Sequence, residues 1–221
     1  MNKKVLVVAA HPDDEALGCA GTMAKHAANG DDVHLMFMTN GVGARRSDEG
    51  FKRRYYSSVE ASKILGLKSL THQDFPDNEM DSIPLLVIVR EIESLVAEIS
   101  PDVIYTHHLG DLNVDHQITH KAVMTACRPQ PESCVNEIYS FEVLSSSEWQ
   151  TPSFLPFIPN MFVDITDYIE AKKEVLSTYD EEMRKSPHSR SVENAIRLCA
   201  LRGNSIGLQY AEAFVALRLI R

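Results

Sequence analysis

The stretch VVAAHPDDEALGCAG, residues 7–21, places one histidine and three acidic residues directly after a run of apolar residues. An unbroken apolar run is typical of a strand that is buried on both faces of a parallel sheet. The apolar spacing that follows, from Glu15 to Ala28, predicts a helix that ends near Asn29 and Gly30. The polar cluster therefore lies at the turn from the first strand into the first helix.

Strand-like and helix-like segments alternate along the rest of the 221 residues. We predict strands at 4–10, 32–40, 69–75, 101–108, 137–144 and 161–165, and helices at 15–28, 51–66, 83–99, 116–127, 168–184 and 192–202. Residues 211–220 fit a strand or a short helix. This order predicts an α/β fold, a Rossmann-like and mostly parallel twisted sheet with helices on both faces in three α/β/α layers. The length suits a single domain, residues 1–221.

The composition argues against several classes of function. The chain has 22 basic and 31 acidic residues, a formal charge of −9, and no Lys/Arg cluster, so we expect no nucleic-acid partner. No apolar stretch approaches the roughly 18 residues of a membrane span. We interpret the start of the chain as a first strand and not as a signal peptide.

The four cysteines form no CxxC pair and suit free thiols, so we expect a cytoplasmic protein. The sequence leaves the oligomeric state open, a homo-oligomer included.

The turn after the first strand is the place where an α/β sheet binds ligands. A dinucleotide-binding fold would have G-x-G-x-x-G there, whereas this chain has H-P-D-D-E, whose carboxylates would repel phosphate. The same residues suit a cation, with His11 and Asp14 as metal ligands. His116, which follows another predicted strand, supplies the third ligand of a two-histidine, one-carboxylate set. Asp13 is then free to act as the general base.

These residues resemble those of the PIG-L/LmbE-like zinc-dependent de-N-acetylases of N-acetylated sugars. The resemblance is carried by AHPDDE (10–15), TNG (39–41), VDH (114–116) and YAEAF (210–214), and it covers nearly the whole chain. It implies that Zn²⁺ is held by His11, Asp14 and His116, with Asp13 as the base. Ferrous iron is the alternative metal.

One position departs from the family pattern. Many members have a histidine three positions before the distal ligand, where this chain has Asn113. An amide can donate a hydrogen bond to an oxyanion but cannot deliver a proton. We therefore expect Asn113 to stabilise the oxyanion and His107 or His108 to supply the missing acid. Asp115 is expected to orient His116, and Glu15 either orients a ligand or simply favours the helix start.

The resemblance also implies substrate-binding residues. An arginine of the second helix reaches the sugar in many members, and Arg53 and Arg54 both suit that position, although the glutamate that usually follows is missing. Asp77 lies in a Pro-Asp loop that suits binding of sugar hydroxyls. Asn40 begins a glycine-rich segment that we interpret as a loop close to the metal.

The leading functional hypothesis is hydrolysis of the acetamide of an N-acetylglucosamine-type conjugate, a small-molecule substrate. Two alternatives stay open. The same ligand set occurs in non-haem iron oxygenases, although those enzymes usually place H-x-D on a jelly roll. A domain that binds metal or glycan without turnover is the second alternative, although binding alone needs no base at Asp13.

Overall fold

A seven-stranded sheet forms the centre of the protein in the computed structural model, which describes residues 2–39 and 48–221. The strands lie in the order β3-β2-β1-β4-β5-β7-β6. Strands β1 to β5 pair in parallel, and β7 runs antiparallel to both of its neighbours. Their bounds are Lys4–Ala9 (β1), Asp32–Thr39 (β2), Ser69–Phe75 (β3), Val103–His107 (β4), Glu137–Phe141 (β5), Met161–Asp164 (β6) and Ala211–Leu219 (β7).

Helices cover both faces of this sheet. One face packs against α1, α2, α3, α6 and α7, and the other against α4 and α5. The helices are α1 (Asp14–Gly18), α2 (Ala20–Ala28), α3 (Asp48–Ile64), α4 (Leu85–Ile99), α5 (Val114–Ala126), α6 (Ile169–Thr178) and α7 (Val192–Asn204). Alternate residues of β1 enter the two cores, as the period of a strand requires. The predicted three-layer, mostly parallel fold is confirmed.

The connections reverse direction between β1 and β4, which are neighbours in the sheet although β2 and β3 come between them in the chain. The chain leaves β1 toward one edge of the sheet and leaves β4 toward the other. Such a reversal opens a crevice at the carboxyl ends of the two strands. The HPDDE turn after β1 and the loop before α5 both lie at this crevice.

The predicted first helix is in fact two helices, because the backbone leaves helical geometry at Cys19. The break exposes unpaired carbonyls at the end of α1 and unpaired N–H groups at the start of α2. A buried ion pair satisfies both ends. Lys172 Nζ donates to two α1 carbonyls at 2.9 Å each, and the Glu212 carboxylate accepts from two α2 N–H groups at 3.0 and 2.7 Å.

Lys172 and Glu212 also contact each other at 2.6 Å, and both side chains are almost fully buried. Burial lowers the pKa of Lys172, but Glu212 outweighs this effect and the net pKa lies above its ordinary value. The lysine therefore stays charged. The pair joins α6 and β7 to the two short helices that follow the HPDDE turn, so it holds α1 in place beside the crevice.

Two further segments differ from the sequence-based expectation. The segment 211–220, left open between strand and helix, is a strand, with β7 spanning Ala211–Leu219. The predicted helix at 168–184 is shorter, since α6 ends at Thr178. In the ranges 2–39 and 48–221, no helix combines the length and the apolar character needed to cross a bilayer.

Replacing Lys172 with methionine is expected to lower the free energy of unfolding by about 3–5 kcal/mol, because Glu212 would stay buried without its cation. Urea unfolding followed by circular dichroism measures this loss. Lys173→Met is the matched control, since Lys173 pairs with Glu170 on the exposed side of the same helix and should leave the midpoint nearly unchanged. Equal losses in both variants would contradict the role of the buried pair.

Candidate metal centre and active site

Three potential ligand atoms meet at the crevice between β1 and β4. His11 follows β1, Asp14 begins α1, and His116 lies in the first turn of α5. His11 Nδ1, Asp14 Oδ2 and His116 Nε2 are each 3.2 Å from the other two. All three residues are buried. The structure thus brings together the two remote segments that the sequence analysis connects.

The spacing of these atoms suits a small divalent cation. Donors about 2.0–2.1 Å from a tetrahedral ion lie roughly 3.3 Å apart, close to the observed separations. Two imidazole nitrogens and one carboxylate oxygen also form the donor set of many catalytic zinc sites. The described residues therefore contain a group that can hold a metal ion with one position left for water or substrate.

Two carboxylates fix the orientation of the His11 ring. Its Nε2 lies 3.1 Å from Asp115 Oδ2 and 3.2 Å from Asp77 Oδ1. A proton on Nε2 donates to Asp115 Oδ2, with Asp77 Oδ1 close by, and leaves the Nδ1 lone pair for a metal. Burial lowers the pKa of His11, but the hydrogen bonds to Asp115, Asp14 and Asp77 raise it well above its ordinary value.

This arrangement corrects the partner expected for Asp115. The sequence analysis assigned it to His116, whereas it contacts His11. Backbone N–H groups of Asn78 and Met80 donate to the Asp115 carboxylate at 2.7 and 3.1 Å and fix it in this direction. Asp77, expected to bind sugar hydroxyls, lines the cavity but also contacts His11.

The carboxylate that faces His116 is Asp111, which the sequence analysis missed. Asp111 Oδ1 lies 3.1 Å from His116 Nδ1, and Oδ2 accepts a hydrogen bond from the Ser147 hydroxyl at 2.6 Å. Burial lowers the pKa of His116, but Asp14 and Asp111 outweigh it and raise the pKa to about 9. Burial opposes ionisation of Asp111, yet His116 and the hydroxyl donors lower its pKa to about 2. In the sequence Asp111 is an ordinary acidic residue of the loop before α5, so nothing there indicates its contact with His116.

Asp13 has a strained backbone conformation, with φ at 123°, and its side chain is buried. Non-glycine residues rarely adopt positive φ, and such strain concentrates at functional sites. Arg190 Nη1 donates to Asp13 Oδ2 at 3.0 Å, and Arg54 Nη2 lies 3.7 Å from the same oxygen. Burial raises the pKa of Asp13, and the two arginines oppose this rise without cancelling it.

Glu15 stabilises the strained backbone of Asp13 through a hydrogen bond. Its Oε2 accepts from the backbone N–H of Asp13 at 3.0 Å, and its Oε1 accepts from the hydroxyl of Tyr179 at 2.6 Å. Burial raises the pKa of Glu15 to about 8. The sequence analysis left Glu15 open between orienting a ligand and favouring the helix start. Its contacts with Asp13 and Tyr179 hold the backbone of the active-site turn.

Of the two arginines expected to bind substrate, the structure brings only Arg54 to the cavity. Arg54 also contacts Glu182 Oε2 at 2.8 Å. Arg53 is instead on the exposed surface, where it pairs with Glu181. Neighbouring positions on a helix point about 100° apart, so only one of the pair can face the site.

Asn113 and His108, two of the residues expected to replace the family's histidine, differ in their access to the cavity. Asn113 lines the cavity and caps α5, with Oδ1 accepting from the N–H of Asp115 at 2.8 Å and Nδ2 donating to Asn78 at 3.1 Å. His108 is turned away and donates from Nε2 to the carbonyl of Leu155 at 2.7 Å. That contact does not support His108 as the acid. Asn40 lies outside the described residues.

His107 is buried behind the site, and its ring stacks on His116 with centroids 4.0 Å apart. Its Nε2 accepts from the backbone N–H of Ala10 at 2.8 Å. Burial lowers the pKa of His107 well below its ordinary value. A neutral, fully buried ring packs the His116 imidazole in place and has no access to substrate.

A polar cavity of about 180 Å³ opens over these groups. Its lining consists of charged and amide side chains: His11, Asp13, Asp14, Arg54, Asp77, Asn78, Asn113, His116, Glu182 and Arg190. Arg190 lies in a loop between α6 and α7, and a loop of this kind gives no periodic signal that would indicate a role for one of its residues. Its contact with Asp13 could be seen only in the folded chain.

Comparison with known proteins identifies the family of this chain. Residues 6–127 match the family described as PIG-L: GlcNAc-PI de-N-acetylase. The chain belongs to the PIG-L family. Within the family, it is 30% identical to the uncharacterized deacetylase YaiS of Escherichia coli (strain K12), over 80% of this chain and 90% of that protein.

Other similarities extend the comparison. The chain is 29% identical to the diacetylchitobiose deacetylase of Thermococcus kodakarensis, over 81% of this chain and 70% of that protein. The crystal structure of the conserved protein TT1542 from Thermus thermophilus has the same fold, with a TM-score of 0.79 at 24% identity, over 99% of this chain and 96% of that one.

Replacing Asp111 with alanine is expected to weaken zinc binding about 10- to 100-fold, because the ligand His116 loses the carboxylate that faces its Nδ1. Asp111 itself is not one of the three proposed ligands. Isothermal titration of the metal-free protein with zinc measures the affinity. His34→Ala is the control, since His34 bonds Ser69 far from the cavity. Unchanged affinity in Asp111→Ala would contradict this assignment.

Proposed function

We propose that this protein is a metal-dependent hydrolase that removes the acetyl group from an N-acetylated sugar. The observation that carries the proposal is Asp13, a buried carboxylate in a strained backbone conformation beside the three candidate ligands in one polar cavity. A site that only binds metal has no need of this additional carboxylate. Membership of a de-N-acetylase family and the similarity to named deacetylases support the same activity.

The metal would be held by His11 Nδ1, Asp14 Oδ2 and His116 Nε2. We propose zinc, with ferrous iron as the alternative, because imidazole and carboxylate ligands accept both ions. When bound there, the ion supplies a Lewis acid that polarises a carbonyl and lowers the pKa of water.

The residues of this chain supply the proton transfers. Asp13 takes a proton from the attacking water while Arg190 and Arg54 hold its carboxylate. Protonated Asp13 then delivers the proton to the departing sugar amine, so one residue serves first as base and then as acid. This assignment removes the need for a histidine at position 113 or for His108.

Asn113 is the proposed hydrogen-bond donor to the oxyanion. Its Oδ1 is engaged as the cap of α5, which fixes the amide plane, and Nδ2 keeps one N–H beyond the bond to Asn78. A preorganised donor of this kind stabilises the charge that develops on the acetyl oxygen. Arg54 and Arg190 add positive charge to the same cavity.

The two other functions considered have less support. An oxygenase would use the same ligands, but its usual scaffold is a jelly roll, and this chain has a three-layer α/β fold. A non-catalytic binding domain leaves both the strain at Asp13 and the Glu15 contact that maintains it without a purpose.

Asp13→Asn is expected to lower kcat for acetate release at least about 1,000-fold while zinc affinity stays within about threefold, because the amide cannot accept the proton but the ligands are intact. Acetate release from methyl N-acetylglucosaminide and zinc titration measure the two quantities. Treatment of the wild type with a chelator should abolish activity, and added zinc should restore it. Full activity of Asp13→Asn would overturn the proposed base.

Tyr179→Phe tests whether Glu15 must be held in place. The variant removes the hydroxyl that donates to Glu15, so Asp13 loses its fixed position and kcat should fall about tenfold. Zinc affinity and KM should stay nearly unchanged. Tyr168→Phe is the matched control and should keep full activity, since Tyr168 directly precedes α6 whereas Tyr179 directly follows it. A fall in stability alone, with unchanged kcat, would refute this positioning role.

A further inference from the structure

Several exposed apolar side chains lie on the loops beside the polar cavity. Trp149, the only tryptophan of the chain, and Leu112 and Leu155 each remain about half exposed. Scattered exposed apolar residues are ordinary, whereas a group of them next to a cavity marks a ligand-binding surface. We call these three residues the apolar rim.

Hydrogen bonds connect the loops that carry the apolar rim. Gln150 Nε2, next to Trp149, donates to the carbonyl of Asp111, next to Leu112, at 3.1 Å. His108 donates to the carbonyl of Leu155 at 2.7 Å. These bonds connect the loop of residues 149–155 to the loop of residues 108–112, and Leu112 directly precedes the cavity residue Asn113.

Trp149 also contacts the loop that carries the cavity residue Arg190. Its ring packs edge-to-face on His188, with centroids 5.7 Å apart, and His188 Nδ1 accepts from the backbone N–H of Arg190 at 3.0 Å. Arg190 Nε donates to the hydroxyl of Ser145 at 2.8 Å, which ties the two loops together. An aromatic ring held this firmly while half exposed loses little conformational freedom on binding a ligand.

The cavity, as lined by the described residues, is too small and too polar to enclose a whole conjugate. Its volume of about 180 Å³ lies below the roughly 300–1,000 Å³ of pockets that enclose drug-sized ligands. Its lining is made of charged and amide side chains, so an apolar group gains nothing inside it. Any group attached to the acetamido sugar must continue onto the surface beside the cavity.

We propose that the substrate carries an aromatic or other flat apolar aglycone, and that Trp149 binds this aglycone on the apolar rim. The inference rests on the proposed deacetylase function for the position of the sugar. The indole face offers a large apolar area and favourable stacking geometry, and Leu112 and Leu155 extend that area. Trp149 thereby determines specificity without touching the reacting atoms.

A binding experiment tests the apolar rim without turnover. The probes are the phenyl and methyl glycosides of glucosamine, which have no acetyl group to release. Because Trp149 is the sole tryptophan, its emission reports directly on occupancy. We expect the phenyl glycoside to shift or quench this emission with a dissociation constant about tenfold lower than that of the methyl glycoside. Equal affinities, or an unchanged emission spectrum, would overturn the proposal.

Kinetics on the corresponding N-acetylated glycosides separates this inference from the proposed function. Trp149→Ala should lower the ratio of kcat/KM for the phenyl over the methyl glycoside about tenfold, and Trp149→Phe should restore most of it. Leu201→Ala, an exposed apolar residue on α7, should keep the wild-type ratio. Equal acetate release from both glycosides in all variants would reject the apolar rim but keep the deacetylase. A tighter binding of the phenyl glycoside, seen in the Trp149 emission, without any acetate release would support the apolar rim but reject the deacetylase function.

Discussion

The active centre depends on positive charge placed among buried carboxylates. Among the described residues, seven acidic side chains are buried around one crevice: Asp13, Asp14, Glu15, Asp77, Asp111, Asp115 and Glu182. Unpaired carboxylates in such a place would cost several kcal/mol each, so cations and hydrogen-bond donors must compensate them. The chain supplies Arg54 and Arg190 beside Asp13, and backbone N–H groups beside Asp115. A divalent ion held by His11 Nδ1, Asp14 Oδ2 and His116 Nε2 would supply further positive charge.

The fold explains why such a cluster can form from remote segments. Parallel strands bring their carboxyl ends to one edge, and the reversal of connections between β1 and β4 leaves an opening there. Two of the three ligands, Asp14 and His116, stand on the first turns of helices, and His11 lies in the turn between β1 and α1. Helices are rigid supports for metal ligands. The Lys172–Glu212 pair joins α1 and α2 to α6 and to β7. Stability and site geometry thus depend on the same local break at Cys19.

The sequence predicted those features that follow from local periodicity and motif position. Apolar runs indicated the strands, and HPDDE at the end of the first strand indicated which residues face the crevice. Features that depend on tertiary contacts could not be predicted. The break at Cys19 requires two residues more than 150 positions further along the chain, and the selection of Arg54 over Arg53 depends on one step of helical register. Asp111 looked like an ordinary loop residue until its contact with His116 was seen.

The position of the metal is the claim on which the proposed chemistry rests. Anomalous diffraction at the zinc edge, from crystals of the zinc-loaded protein, locates the ion without reference to activity. We expect one strong peak within bonding distance of His11 Nδ1, Asp14 Oδ2 and His116 Nε2. A peak on the other side of the His11 ring, among Nε2, Asp77 and Asp115, or a cavity without any peak, would contradict the assignment.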